Sequence, residues 1–378
     1  MKKLVTRILI VIFTTALFAL FGVFTVLLIV NYGPSKRAHK LFVNSVRETS
    51  AIGFLAEWFT TDAELERILA ENKIEEIDDV TDTSMVVIKG REEDKKPENK
   101  VTPPADPHSS EIETTPGTSV TPAEDQPTPD VQPENDKEPG VTEDNLISDK
   151  DGIKICKVKG PTFTGRMMII EDPSRVKVGV CKQFGIRSGR GEQVKTIMEN
   201  YNGIAATNAG GFEDVNGRGS GSMPIGYVFS EGQLLYNPKG SGLLIGLDEN
   251  DILIVGNMTA EQALEKKIRD AITFGPALIV NGVSAQISGV GSGLNPRTAI
   301  GQRRDGAVLL LSIDGRQANS LGATYADMIK IYEEFGAVNA ANLDGGSSAI
   351  MYYEGEVISN PSNMINNRNM PTAIIVTR

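Results

Sequence analysis

The apolar and polar positions divide the chain into unlike stretches. Residues 1–7 are a short tail carrying Lys2, Lys3 and Arg7. Residues 8–30 are uncharged and mostly apolar, long enough to cross a bilayer as a helix, which takes about 20 residues. No small-x-small cleavage site follows, so the pattern predicts an uncleaved, single-pass anchor. Residues 31–90 have helical spacing: Thr61 and Glu64 are placed as a capping box, and Leu65, Ile68 and Leu69 share a face. A further stripe, Phe54, Leu55, Trp58 and Phe59, reads as helix packing or as membrane contact. Residues 91–147 lose this patterning. Residues 148–378 return to short apolar runs broken by Gly and Pro.

Within 148–378, runs at 153–158, 166–170 and 176–180 have strand lengths. Residues 194–201 show helical spacing, and 204–207 form a short strand. Hairpins are expected over 227–236, turning at Glu231-Gly232, and over 243–255, turning at 248–251. Thr259 with Gln262 starts a helix to about residue 268. Residues 289–293 read as a flexible surface loop. Strands at 298–302 and 308–313 flank a turn at 304–306, and a helix at 325–335 ends at Gly336. Apolar strands at 337–341, 349–353 and 373–376 complete the series. The expectation is an α+β fold: a single compact domain with a mixed β-sheet and a few helices, preceded by a transmembrane helix and a disordered linker.

Composition sharpens the linker. More than half of the chain's 19 prolines fall in 91–140, with many acidic residues and no Phe, Trp or Tyr. Such a segment cannot bury enough apolar surface to offset chain entropy, and its proline and charge favour an extended tether holding the following domain away from the membrane. That arrangement suits a domain outside the cytoplasm. Most of the formal net charge of −11 also belongs to this stretch. The near-neutral remainder argues against a nucleic-acid partner. Cys156 and Cys181 read as a disulfide or as two buried thiols.

The candidate chemistry lies at four polar corners beside apolar runs: 208–214, 295–298, 314–316 and 342–348. The histidines are His39 and His108, and none follows residue 140. A Ser-His-Asp hydrolase is therefore excluded within this region, and zinc sites built on histidine are disfavoured. Carboxylates with arginine remain. They suit cleavage at a sugar carbon bearing a phosphate leaving group, whose charge an arginine can neutralise.

Asp344, in Asn342-Leu-Asp-Gly-Gly-Ser-Ser348, is the candidate nucleophile or base, or else a turn carboxylate. Gly345 and Gly346 let backbone amides approach an anion or sugar. Glu213 is a second carboxylate or simply solvent-exposed, and Asp314 is a third or a turn residue. Arg297, Arg316 and Arg368 are phosphate-clamp candidates with salt bridges as the competing reading. Asn208 and Asn342 address sugar hydroxyls or cap local amides. Ser347 and Ser348 are hydrogen-bonders. No cofactor is required by this chemistry, although Glu213, Asp314 and Asp344 together could hold a divalent cation such as Ca²⁺.

Taken in order, Asn208-Ala-Gly-Gly-Phe212, Asn295-Pro-Arg-Thr-Ala-Ile-Gly301, Asp314-Gly-Arg316, Asn342-Leu-Asp-Gly-Gly-Ser-Ser348 and Arg368-x-Met-Pro-Thr372 resemble the phosphodiester glycosidase family over roughly residues 150–378. The resemblance implies an α+β domain that hydrolyses the bond between an anomeric carbon and a phosphodiester oxygen. It maps family positions onto Asn208, Gly210, Gly211, Arg297, Asp314, Arg316, Asp344, Gly345, Gly346, Ser347 and Arg368. The run Asn-Ala-Gly-Gly-Phe departs from many relatives, which leaves substrate preference open. The expected activity is a membrane-anchored hydrolase acting on phosphate-linked glycans of the envelope or of an exopolysaccharide. The alternatives are a non-catalytic glycan-binding or envelope-assembly module, and a metal-dependent phosphodiesterase that breaks the phosphorus–oxygen bond instead.

Overall fold

The computed structural model describes residues 2–49, 52–88, 138–214, 219–362 and 368–378. Most of the expected linker, 91–137, lies outside the described residues. Helix α1, Lys2–Tyr32, contains the apolar run. Within its stretch Leu4–Tyr32, the most apolar window has none of its residues buried inside the protein, and Phe13 and Phe18 are exposed. Gly33-Pro34 follows it, and Ser35 restarts the chain as a helix by accepting from the Ala38 amide at 3.2 Å.

Helices α2 (Lys36–Arg47), α3 (Phe54–Phe59) and α4 (Asp62–Glu71) then pack around Val43, Val46, Ala56, Leu65 and Ile68. Thr61 caps α4 from the expected position, accepting from the Glu64 amide at 3.3 Å.

The described residues of 31–90 are joined to the domain. Ile74 bridges to Ile287, the Thr81 amide donates to the Val255 carbonyl at 3.1 Å, and the Val87 amide to the Arg304 carbonyl at 2.7 Å. The cause lies in side chains the helical reading left without a partner. Val86 is buried in the core of the second sheet described below, with Val80 and Ile88 packed against it, and Ile77 packs on the main core. The loop at 289–293 is correspondingly covered instead of open: Ser292 is buried, and a Cβ on Gly293 would meet the Ser45 backbone at 2.3 Å.

The α+β class holds, with the strands divided among three sheets whose described pairings are all antiparallel. The largest has eight strands in the order Leu146–Lys150, Ile153–Lys159, Thr164–Ile170, Val308–Ile313, Arg297–Arg303, Ala337–Leu343, Ala277–Val280 and Val283–Ser284. A second sheet runs Gln233–Tyr236, Val228–Ser230, Ile268–Thr273, Ser241–Asp248, Leu253–Thr259. The third runs Glu356–Val357, Met351–Tyr353, Gly203–Asn208, Thr372–Thr377, Val176–Val180. Tight turns between successive strands favour antiparallel neighbours.

Inward side chains from all three sheets, among them Met168, Leu310, Ile245 and Ile374, form one continuous core. Helix α5 (Val194–Asn200) lies on the third sheet. Helix α6 (Ala260–Glu265) has the expected capping box but ends sooner, because Lys267 at φ +54° turns the chain into the buried strand from Ile268. Helix α7 (Tyr325–Glu334) covers the eight-stranded sheet through Met328, Ile331 and Tyr332, and Gly336 at φ +75° ends it. Cys156 and Cys181 are both free and buried.

Candidate functional site

Strand register assembles the site. In the eight-stranded sheet Thr298 pairs with Leu343, so the chain entering one strand at 295–297 lies beside the chain leaving the other at 344–348. The third sheet delivers Asn208 to the same place. The Asp344 amide donates to the Ala209 carbonyl at 2.9 Å, and the Gly346 amide to the Pro296 carbonyl at 2.8 Å. The two glycines are required by this fit: a Cβ on Gly345 would stand 2.8 Å from the Pro296 oxygen, and Gly346 sits at φ +60°.

Asn208 lies beneath the turn, fully buried. Its side-chain amide donates to the Asp344 carbonyl, and its Oδ1 accepts from Thr298 Oγ1 at 2.9 Å and from the Ile350 amide at 3.2 Å. It stitches three strand ends together rather than facing a ligand. Gly210 is also behind the surface, its amide bonded to Thr372 Oγ1 at 3.2 Å.

Above the turn opens a cleft of about 1460 Å³ whose lining includes Asp344, Asp214, Asn342 and the arginines 297, 316 and 368. Gly211, Gly345, Gly346 and Ser347 line it as well. Burial pushes the Asp344 carboxyl up to about 6; the Ser348 hydroxyl, the Arg368 charge and the Gly345 amide oppose the shift, and neighbouring Asp214 adds to it. Asn342 donates to the Gly275 carbonyl at 2.8 Å, while its Oδ1 is buried and accepts no hydrogen bond among the described residues.

The three arginines are held differently. Arg368 donates to Ser347 Oγ at 3.0 Å and to the Asp214 carboxylate, and lies 4.9 Å from the Phe212 ring centre. Arg297 is buried, bonded to the carbonyls of Ala323 and Gly293, stacked 4.3 Å over Tyr325, and ion-paired at 2.8 Å with Glu48. Arg316 donates to the Thr49 hydroxyl at 2.9 Å and to Asn295 Oδ1 at 3.1 Å, both neutral. Burial and the nearby Arg297 charge lower its pKa.

Two of the candidate carboxylates stand elsewhere. Glu213 is exposed and paired with Arg187 at 3.0 Å, while its neighbour Asp214 faces the cleft. Side chains in extended backbone alternate sides, and this offset of one residue was the available signal. Asp314 accepts from the Asn360 amide at 2.7 Å and Thr164 Oγ1 at 3.2 Å behind the cleft, where burial raises its pKa. Glu213, Asp314 and Asp344 thus do not form one ligand set for a cation, and no cluster of three His, Cys, Asp or Glu side chains occurs among the described residues.

Glu48 and Thr49 were not foreseen, since they come from outside the domain. Glu48 accepts from Arg297, from Asn295 Nδ2 at 2.8 Å and from the Gly293 amide at 2.8 Å.

Residues 201–377 match the family model for phosphodiester glycosidase. The SPbeta prophage-derived uncharacterized protein YomE of Bacillus subtilis (strain 168) is 30% identical over 196 residues, covering 49% of this chain and 29% of that protein. Mouse N-acetylglucosamine-1-phosphodiester alpha-N-acetylglucosaminidase is 38% identical over 69 residues, 18% of this chain and 13% of that protein. The chain thus spans less than a third of the length of the curated relatives it matches. Among solved structures, the zebrafish catalytic domain of that glucosaminidase, auto-inhibited by its pro-peptide, superposes with a TM-score of 0.50 at 22% identity, over 60% of this chain and 82% of that one. The fold is shared at that level, and the match to the phosphodiester glycosidase family model falls on the segment that carries the sequence motifs.

Proposed function

We propose that this chain hydrolyses glycosyl phosphodiesters, breaking the bond between the anomeric carbon and the phosphate oxygen. One observation carries the reading. A carboxyl whose pKa burial raises to about 6, that of Asp344, shares a cleft with Arg316, whose hydrogen bonds go to neutral partners. The phosphate is held by Arg316, and Arg297 assists from behind. Asp344 in its ionised form attacks the anomeric carbon or takes the proton of the incoming water. The leaving phosphate needs little protonation because the guanidinium neutralises its charge. Asp214 takes the place of Glu213 and Asp314 as the second carboxylate, and with Arg368 it sets the charge around Asp344. Asn342 Oδ1 accepts from a sugar hydroxyl or amide. Helix α1 anchors the chain in a membrane with the domain outside the cytoplasm, and envelope or exopolysaccharide glycans are the substrate class.

The test is release of free sugar and a phosphomonoester from a sugar-1-phosphodiester in ¹⁸O water. Label in the sugar supports this chemistry, and label in the phosphate supports phosphorus–oxygen cleavage instead. Binding without product over long incubation supports a glycan-binding module. Full activity in Asp344→Asn refutes the role given to that residue.

A further inference from the structure

The apolar helix and the cleft are separated by one short helix. At the end of α1, Asn31 is buried and hydrogen-bonded to His39 at 3.0 Å, and Tyr32 meets the Phe59 ring at 6.4 Å. The last turn of α1 is therefore fixed against α2 and α3. Helix α2 then runs 12 residues, about 18 Å at the usual rise, and the residues directly after it, Glu48 and Thr49, line the cleft. The cleft is thus held within about 18 Å of the end of the apolar helix, near the bilayer surface that this helix would reach.

The surface between the two points the same way. Ile52 is 40% exposed, Phe54 48% and Trp58 70%, and the Phe54 and Trp58 rings meet edge to face at 5.2 Å. Exposed aromatics beside the end of an apolar helix fit the bilayer interface. Lys36 and Arg37, exposed at the start of α2, add the charge that draws lipid phosphates. On the cleft rim Ile225 is 55% exposed.

Building on the glycosidase reading, we propose that the phosphodiester is presented by the bilayer: a glycosyl phosphate esterified to a long-chain lipid alcohol, with Ile52, Phe54 and Trp58 seated at the interface. Water adds at the anomeric carbon, the bond from that carbon to the phosphate oxygen breaks, and the sugar leaves as the free hemiacetal. The lipid keeps the phosphate as a monoester. The chain then acts on a membrane-borne glycan precursor rather than on a released polymer.

The chain has one tryptophan, so Trp58 reports its own depth. The experiment uses the full chain in vesicles and compares kcat/KM for one sugar phosphate on a short water-soluble alcohol and on a lipid alcohol. A preference of at least tenfold for the lipid ester is expected, with quenching of Trp58 by lipids brominated near the headgroup. Trp58→Ser should reduce that preference while keeping turnover of the short ester. Equal or faster turnover of the short ester, or an unquenched Trp58, overturns the membrane-borne substrate and leaves the hydrolysis standing. No turnover of either ester overturns the hydrolysis, and this substrate with it.

Discussion

Replacing Asp344 by Asn should stabilise the protein above neutral pH while abolishing turnover. The Asp344 carboxyl titrates near 6 in the folded state against an ordinary 3.8. Between those values the folded protein holds a proton that the unfolded chain has released, so stability falls as pH rises through this window. The penalty is absent below 3.8 and complete above 6. A shift of about two units corresponds to roughly 3 kcal/mol. Because Asp344 is partly open to the cleft, water there brings the expected figure to between about 1 and 3 kcal/mol. Asn keeps the shape without the charge.

Denaturant unfolding of the two proteins from pH 4 to 8 measures the difference, and the other buried carboxyls, Asp248, Asp270 and Asp314, cancel because both proteins contain them. The gap should be near zero at pH 4 and widen to its full value by pH 7. Parallel curves, or an Asn variant less stable at pH 8, would refute the claim that the site holds a destabilised carboxylate.

Arg316→Ala should lower kcat/KM by about ten- to a hundredfold, the worth of a charge-assisted phosphate contact; Arg316→Lys should recover part of the loss, and steady-state kinetics reads both. The acid limb of the rate profile should lie near pH 6, where Asp344 ionises. In Arg368→Gln that limb should move upward by roughly 0.5–1 unit, because the cation that favours the ionised form is gone; an unmoved limb would detach Arg368 from Asp344.

The sequence made the strands legible wherever a local signal closed a hairpin. The pair Arg297–Arg303 and Val308–Ile313 turns at Gly306 as expected, and Gly336 ends α7. The Asp344 corner was legible too, since its two glycines mark a turn that only glycine fits. What escaped was set by distance along the chain. Glu48 meets Arg297, Asn295 and Gly293, all some 250 residues away, so no spacing rule joins them. Asp314-Gly315 carries the same dipeptide as Asp344-Gly345, and only packing turns one carboxylate inward and the other to the cleft. The attachment of 74–88 to the domain escaped for a related reason. Apolar residues at 74–88 find burial on the domain.

The residues flanking 89–137 are pinned to a single turn. The Val87 amide bonds the Arg304 carbonyl at 2.7 Å, and the Glu138 carboxylate takes the Arg303 guanidinium at 2.6 Å. Val87 and Glu138 thus meet adjacent residues of the domain, although 51 positions separate them in sequence. A break of the chain between Val87 and Glu138 severs the backbone without parting the molecule. The fragment bearing α1 to α4 and the fragment bearing the three sheets stay together as a two-piece particle through the contacts at Ile74, Thr81, Val87 and Glu48.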